Sequence, residues 1–241
     1  MLAINVVTLF PEWFTAALEG SILGRAAAQG LVRYRVVQLR DYTHDKHHTV
    51  DDSPYGGGAG MVLKPEPFFE AVEDLKAQPP IVLLSARGRR FEHKDAVRFS
   101  VSAELTLLCG HYKDVDQRVA LGLGAEELSI GDFVLTGGEP AALCVVDAVA
   151  RLLPGVVGTF DSVESDSFHS GRLDATYYTR PAEYRGWPVP EVLLSGNHAA
   201  IAKHRHEEAL RRTFERRPDL LEGAELSEQD RKVLRKLRPR T

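Results

Sequence analysis

The chain has 241 residues, 44% of them hydrophobic and 27% charged, with two cysteines and a formal net charge of −4. That is the balance of an ordinary globular protein with enough chain to bury a core. It excludes a disulfide scaffold and a cysteine zinc site, and no apolar run, Ile81–Leu84 included, approaches a membrane span. The start, Met1-Leu2-Ala3-Ile4-Asn5, lacks the charged region and cleavage site of a signal peptide, so a cytoplasmic protein with no membrane partner is expected. Cys109 and Cys144 both lie in apolar runs and are expected to be buried free thiols. The charge is unevenly spread: residues 1–169 hold 15 Lys and Arg against 23 Asp and Glu (−8), and residues 170–241 hold 15 against 11 (+4). A basic tail on an acidic body can meet a polyanion locally; a solvated helical surface with ordinary ion pairs has the same composition.

In chain order, Ile4–Phe10 is a β-branched apolar run closed by Pro11 and reads as a buried strand. A helical pattern follows to about Gln29 and stops at Gly30. Val32–Leu39 reads as a second strand, and Arg40–Gly60 as a long polar segment without periodicity. Pro65–Ala77 reads as a helix, Ile81–Ser85 as a strand, Lys94–Ser102 as a helix and Leu105–Cys109 as a strand ending at Gly110. Continuous apolar strands alternating with helices predict a parallel sheet in an α/β layer fold, with ligands at the C-terminal ends of the strands. The loops Ser85-Ala86-Arg87-Gly88 and Gly110-His111-Tyr112 lie at such ends, and a third runs through Ser129–Leu135 to Gly137-Gly138-Glu139. Ala141–Leu153 reads as a nearly all-apolar helix ended by Pro154-Gly155. Residues 158–176 hold little that can form a core and read as a linker or mobile loop. Helices are expected at about 198–214 and 228–237, the second opened by a capping box of Ser227 and Asp230.

Individual motifs have plain readings beside functional ones. The glycines of Tyr55–Met61 suit a flexible loop or a close approach to a ligand, and they match neither a dinucleotide-binding nor a Walker pattern. His44-Asp45-Lys46-His47-His48 through Asp52 contains metal-ligand types, but Lys46 interrupts it and a polar, phosphate-facing loop fits better; no metal ligand is assigned. Asp147–Arg151, Glu207–Arg211 and Glu208–Arg212 have the i,i+4 spacing of helix-surface ion pairs. Lys203, Arg205, His206, Arg216 and Arg217 remain as a basic cluster able to fix register on phosphates.

Taken together, Leu9-Phe10-Pro11, Tyr42-Thr43-His44-Asp45, Thr49–Asp52 with Pro54–Gly58, Ser129–Leu135 with Gly137-Gly138-Glu139, Pro154-Gly155-Val156, Asp166-Ser167-Phe168, Tyr178–Pro181 and Leu193–His198 resemble the bacterial tRNA (guanine-37-N(1)-)-methyltransferases nearly end to end. The resemblance implies a SPOUT-class α/β domain with a parallel sheet and a trefoil knot, which general topology rules would reject. It implies S-adenosylmethionine-binding residues 1–160, a flexible linker at 161–176 and a small helical tRNA-binding domain at 177–241, working as a homodimer. The implied substrate is guanosine 37 of tRNA, preferably preceded by guanosine 36. Ser85, Gly88, Gly110, Ser129, Ile130, Gly131, Asp132, Phe133, Val134, Leu135 and Gly137 match cofactor-binding positions. Asp166 matches the general base, and Arg151 the residue that assists at the target guanine. His44, Asp51, Tyr55, Gly56, Gly57, Gly58, Ser167, Arg180, Asn197, His198, Lys203 and Arg205 match tRNA-facing positions. Where many members read Cys-Gly-Arg-Tyr-Glu-Gly-Ile-Asp, this chain reads Cys109-Gly110-His111-Tyr112-Lys113-Asp114-Val115-Asp116; Lys113 cannot replace a glutamate at a magnesium ion, so a magnesium requirement stays open.

The implied chemistry is coherent. Guanine nitrogen 1 carries a proton at neutral pH and must lose it to attack a methyl group. An aspartate in water, with a pKa near 3.9, is a weak base at pH 7 unless a closed site desolvates it or proton transfer is concerted with attack. Two rivals stand beside this enzyme: a non-catalytic tRNA- or RNA-binding protein on the same scaffold, and a metal hydrolase using His44, His47, His48, Asp51 and Asp52.

Overall fold

The computed structural model describes residues 1–157 and 166–237. The chain falls into two compact units, 1–159 and 160–241. In the first, five parallel strands form one sheet in the order β2-β1-β6-β5-β8: β1 (Leu2–Thr8), β2 (Val32–Gln38), β5 (Ile81–Arg90), β6 (Glu104–Cys109) and β8 (Glu126–Ser129). Successive side chains of a strand point to opposite faces, and here each face has its own core. Ile4, Val6, Val82, Leu84, Leu105 and Leu107 join one cluster, while Val7, Ile81, Leu83 and Leu108 join the other. The near-continuous apolar runs are the signature of strands covered on both sides. One cover comprises α1 (Glu12–Glu19), α2 (Ser21–Ala28), α4 (His93–Ser100) and α6 (Glu139–Ala150); the other, α3 (Pro65–Leu75) and α5 (Gln117–Leu123). The α/β class with a central parallel sheet is the class expected.

Several boundaries differ from expectation for identifiable reasons. The helix expected to run to Gln29 is two helices broken at Gly20, whose extended backbone (φ −92°, ψ 160°) cannot continue a helical turn. The polar segment 40–60 contains a short 3-10 turn and β3 (Asp51–Asp52), which pairs with β4 (Val62–Leu63), itself beside β7 (Asp114–Val115). Helix α5 and strand β8 had no assigned counterpart. Cys109 is buried, but Cys144 is exposed on the outer face of α6, correcting the expectation of two buried thiols. Burial, and then the nearby Glu139 carboxylate, pushes the Cys109 thiol well above its ordinary range, so it packs as an apolar group.

Strand β5 does not stop at Ser85. Leu84 pairs with Leu128 of β8 and, past residues 85–88, Arg89 pairs with that same Leu128 and Arg90 with Ser129. The register of β5 on β8 is therefore irregular between Leu84 and Arg89. Ion pairs hold this stretch. Arg89 holds Asp95 through two hydrogen bonds of 2.8 and 2.6 Å and also bonds Glu126, while Arg98 bonds Glu126 at 2.6 Å. Asp95 is only 3% exposed and completes a capping box with Glu92 at the start of α4. The Arg89 hydrogen bonds hold its carboxyl below the ordinary carboxylate range. A depressed carboxylate stabilises the fold above its unfolded pKa, near 3.9, and loses that contribution as pH falls through the folded value. Asp95→Asn is accordingly expected to cost about 2 kcal/mol at pH 7. The gap between the urea midpoints of the two proteins should narrow as pH falls below 4; a gap independent of pH would remove the electrostatic account.

In the second unit, a hairpin of β9 (Glu183–Tyr184) and β10 (Trp187–Pro188) precedes α7 (Glu191–Leu194), α8 (His198–Arg216) and α9 (Glu228–Leu237). The Ser227–Asp230 capping box forms as expected, with reciprocal bonds of 3.0 and 3.1 Å. Of the segment expected to be a mobile linker, residues 158–165 lie outside the described residues. The rest, 166–176, is fastened to α8: Leu173 donates to Thr213 Oγ1 (3.0 Å), Thr176 bonds Glu208 and Arg212, and Ala175 is buried. These anchors are polar and join residues distant in sequence. The surface pairs also shift: Arg211 meets Glu208 and Glu215 instead of Glu207. No helix among the described residues is long and apolar enough to cross a membrane.

Candidate active site

Three loops at the C-terminal ends of β5, β6 and β8 meet around a cavity of about 1110 Å³ in the first unit. It is lined by Ser85–Arg87, Gly110–Gln117, Ser129–Ile130 and Phe133–Gly138, with 52–55 and 62–66 at its side. Backbone fastens the loops to one another. Gly138 N–H donates to Gly110 O at 2.8 Å, and His111 forms a single antiparallel bridge with Gly137. A Cβ on Gly138 would lie 2.8 Å from Cys109 Cα, so this approach requires glycine. The Ser129 hydroxyl, which accepts from Gly131 N (3.2 Å) and donates to Gly131 O (2.8 Å), folds the third loop back on itself. Phe133, Val134 and Leu135 remain exposed at the cavity. Glu139, at the first turn of α6, is buried and accepts a 2.6 Å hydrogen bond from Thr8 Oγ1; the helix N-terminus suits its charge.

Of the sequence-predicted cofactor residues, Ser85, Gly110, Ser129, Ile130, Phe133, Val134, Leu135 and Gly137 come together at this cavity. Gly88, Gly131 and Asp132 are not among its lining; Gly88 packs against the backbone of β8 instead. Arg87, Tyr112 and Gly138, which also line it, lie in the strand-end loops expected to meet a ligand but were not assigned to the cofactor. Sequence reasoning missed Asp114, which pairs with Arg87 at 2.9 Å, and Thr136. The volume, the close glycines, the exposed backbone groups and the apolar wall fit a nucleoside-sized ligand carrying a polar tail, as S-adenosylmethionine does.

Asp114 is paired with Arg87 and Asp116 with Arg118 (2.7 Å), and Lys113 lies between them in sequence. The Arg118 hydrogen bonds hold the Asp116 carboxyl below its ordinary range. Among the described residues no group of three or more His, Cys, Asp or Glu side chains could hold a metal. His44 binds Glu70 at 2.7 Å, and Asp45 folds the 45–49 turn, where hydrogen bonds from Thr49 bring its carboxyl down to about 2. His44, His47, His48, Asp51 and Asp52 form no such group among the described residues.

The remaining predicted residues are dispersed. Tyr55, fully exposed, lines the cavity, whereas Gly56, Gly57 and Gly58 do not; all three glycines adopt positive φ. Asp51 pairs with Leu63 in the small sheet. Arg151 ends α6. Asp166 belongs to the second unit, on a turn where Ser167 Oγ accepts from Asp174 N at 3.0 Å. Arg180, His198, Lys203 and Arg205 are exposed there, with Arg205 5.7 Å from the Tyr177 ring centre. The Asn197 side-chain oxygen accepts from Ala200 N at 3.1 Å and caps the start of α8. Arg217 is held by Asp219 at 2.6 Å, leaving Lys203, Arg205 and Arg216 as the exposed members of the basic cluster.

The tRNA (Guanine-1)-methyltransferase TrmD family model matches residues 2–223. A tRNA (guanine-N(1)-)-methyltransferase from Dehalococcoides mccartyi is 55% identical over 235 residues, covering 96% of this chain and 95% of the relative. One of the same description from Bacillus cereus is 51% identical over 239 residues, 98% of each. With a strand-end cavity and matches across nearly the whole length in agreement, the chain belongs to the tRNA (Guanine-1)-methyltransferase TrmD family.

Proposed function

We propose that the protein transfers a methyl group from S-adenosylmethionine to ring nitrogen 1 of guanosine 37 in tRNA, beside the anticodon, and so helps maintain the reading frame. Its preferred substrates carry guanosine at 36, and it acts as a cytoplasmic homodimer. The observation that carries the reading is the cavity of about 1110 Å³ where three strand-end loops converge, on a chain that matches the family over residues 2–223.

S-adenosylmethionine, when bound there, supplies an electrophilic methyl group. The chain supplies the rest. The backbone of 129–138 presents donors and acceptors already fixed by the Ser129 turn and the Gly110–Gly138 bond, so little ordering remains to be done on binding. Ile130, Phe133, Val134 and Leu135 cover apolar surface and exclude water. Asp166 accepts the proton of guanine nitrogen 1, and Arg151 sets positive charge opposite the guanine oxygen, where negative charge develops. In the homodimer the Asp166 that serves each target guanine comes from the partner subunit. Lys203 and Arg205 fix register on phosphates, with His44, Asp51, Tyr55, Gly56, Gly57, Gly58, Ser167, Arg180 and His198 contributing to the RNA-facing surface.

The test is transfer of labelled methyl from S-adenosylmethionine to two matched tRNA transcripts, one with guanosine at 37 and one with adenosine there. Label should enter only the first. Label in neither, with tRNA still bound, would replace the enzyme with the non-catalytic RNA-binding reading.

A further inference from the structure

The turn that carries Asp166 is closed by its own backbone: Phe168 N–H donates to Arg172 O at 2.7 Å, and Gly171 N–H to Phe168 O at 3.1 Å. Phe168 adopts a left-handed φ of 77°, which a bulky residue takes only when its surroundings hold it there. The Arg172 side chain leads from the base of this turn toward Asp230, with Nη1 buried, lacking a hydrogen bond and 3.8 Å from Asp230 Oδ1. That carboxylate is 4% exposed, starts α9 through Ser227, and takes a 2.6 Å hydrogen bond from His206 of α8. Burial opposes its charge, but the Ser227 and His206 hydrogen bonds prevail and bring its carboxyl below the ordinary range. Arg172 and His206, with Asp166 itself, border one hollow of about 120 Å³.

A buried carboxylate gripped by two helices and facing a guanidinium at the foot of the turn is more than a surface pair. The cation offsets the charge that Asp230 would otherwise bury, and the turn is tethered to a rigid point as a result. The geometry points to Arg172 as a positioning residue for Asp166, with Asp230 and His206 as its anchor. The inference rests on the assignment of Asp166 as the base. Arg172 acts through the turn and touches no reacting atom. A group misplaced by about 1 Å can cost roughly a hundredfold in rate, so loosening this tether should appear in turnover.

Arg172→Leu, which keeps much of the stem's packing, should lower kcat at least tenfold with KM for tRNA and affinity for S-adenosylmethionine near native. Arg172→Lys should restore part of the rate. Asp230→Asn, which keeps the cap and adds no exposed charge change, should lower kcat in the same way. Hydrogen exchange at the Phe168 amide should speed up in Arg172→Leu and Asp230→Asn alike. Asp166→Ala is run beside them. If it is inactive while Arg172→Leu and Arg172→Lys keep native kcat, the positioning role is wrong and the base assignment stands. If Asp166→Ala itself turns over normally, both fall. A rise in tRNA KM with kcat unchanged would make Arg172 a phosphate contact and overturn the proposal.

Discussion

Asp166→Ala is expected to lower methyl transfer about a thousandfold or more while S-adenosylmethionine binds with near-native affinity. The first half follows from the chemistry. A positioned general base is worth roughly a hundred- to ten-thousandfold, and the guanine nitrogen has no lone pair free for attack while its proton remains. The second half follows from the architecture. The cavity proposed to hold the methyl donor is built wholly from first-unit residues, whereas Asp166 sits in the second unit. Removing one carboxylate from the second unit leaves the Gly110–Gly138 bond and the Ser129 turn untouched. Single-turnover transfer to tRNA, with calorimetric titration of the methyl donor, reads both. A variant that loses donor affinity in proportion to rate would place Asp166 in the donor site instead, and unchanged turnover would leave proton removal to another group.

The parallel sheet was legible because its signal is local. Ile4 and Val6 face one core and Val7 the other, so a strand buried on both faces reads as an uninterrupted apolar run. The strand-end loops at Ser85 and Gly110 were legible for the same reason, since strand-end placement follows once the sheet is known. Strand β8 was not, because Glu126-Glu127-Leu128-Ser129 contributes one fully buried apolar side chain, and its place depends on pairing with residues about forty positions earlier. The anchoring of 166–176 was hidden likewise: its contacts are Thr213, Glu208 and Asp230, polar groups whose pairing no periodicity announces. Motif resemblance placed Asn197 at the RNA, but a side chain that caps α8 gives a structural reason for the same residue type. Gly88, matched to a cofactor position, also packs against the backbone of β8.

That packing leads to the other large effect. Gly88→Ala is expected to destabilise the protein by about 3 kcal/mol, at the upper end of overpacking penalties, and to weaken methyl-donor binding. The backbone at Gly88 does not have the positive φ that glycine alone tolerates, so conformation does not demand glycine here; space does. A Cβ there would overlap the carbonyl carbon of Glu127 and the amide nitrogen of Leu128. Both belong to β8, whose Leu128 pairs with Leu84 and with Arg89, so it cannot shift without disturbing those pairings. Displacing β8 also moves Ser129, and with it the turn that forms one wall of the cavity. Gly57→Ala makes the matched control: its φ of +77° is strained for alanine, but nothing lies within 4 Å of the new methyl. It should cost about 1 kcal/mol and leave donor affinity intact. Urea unfolding and donor titration of the two variants separate backbone strain from packing against β8. If Gly88→Ala were no worse than Gly57→Ala in both, residues 85–88 would have room to move off β8, and that close approach could not be what shapes the donor cavity.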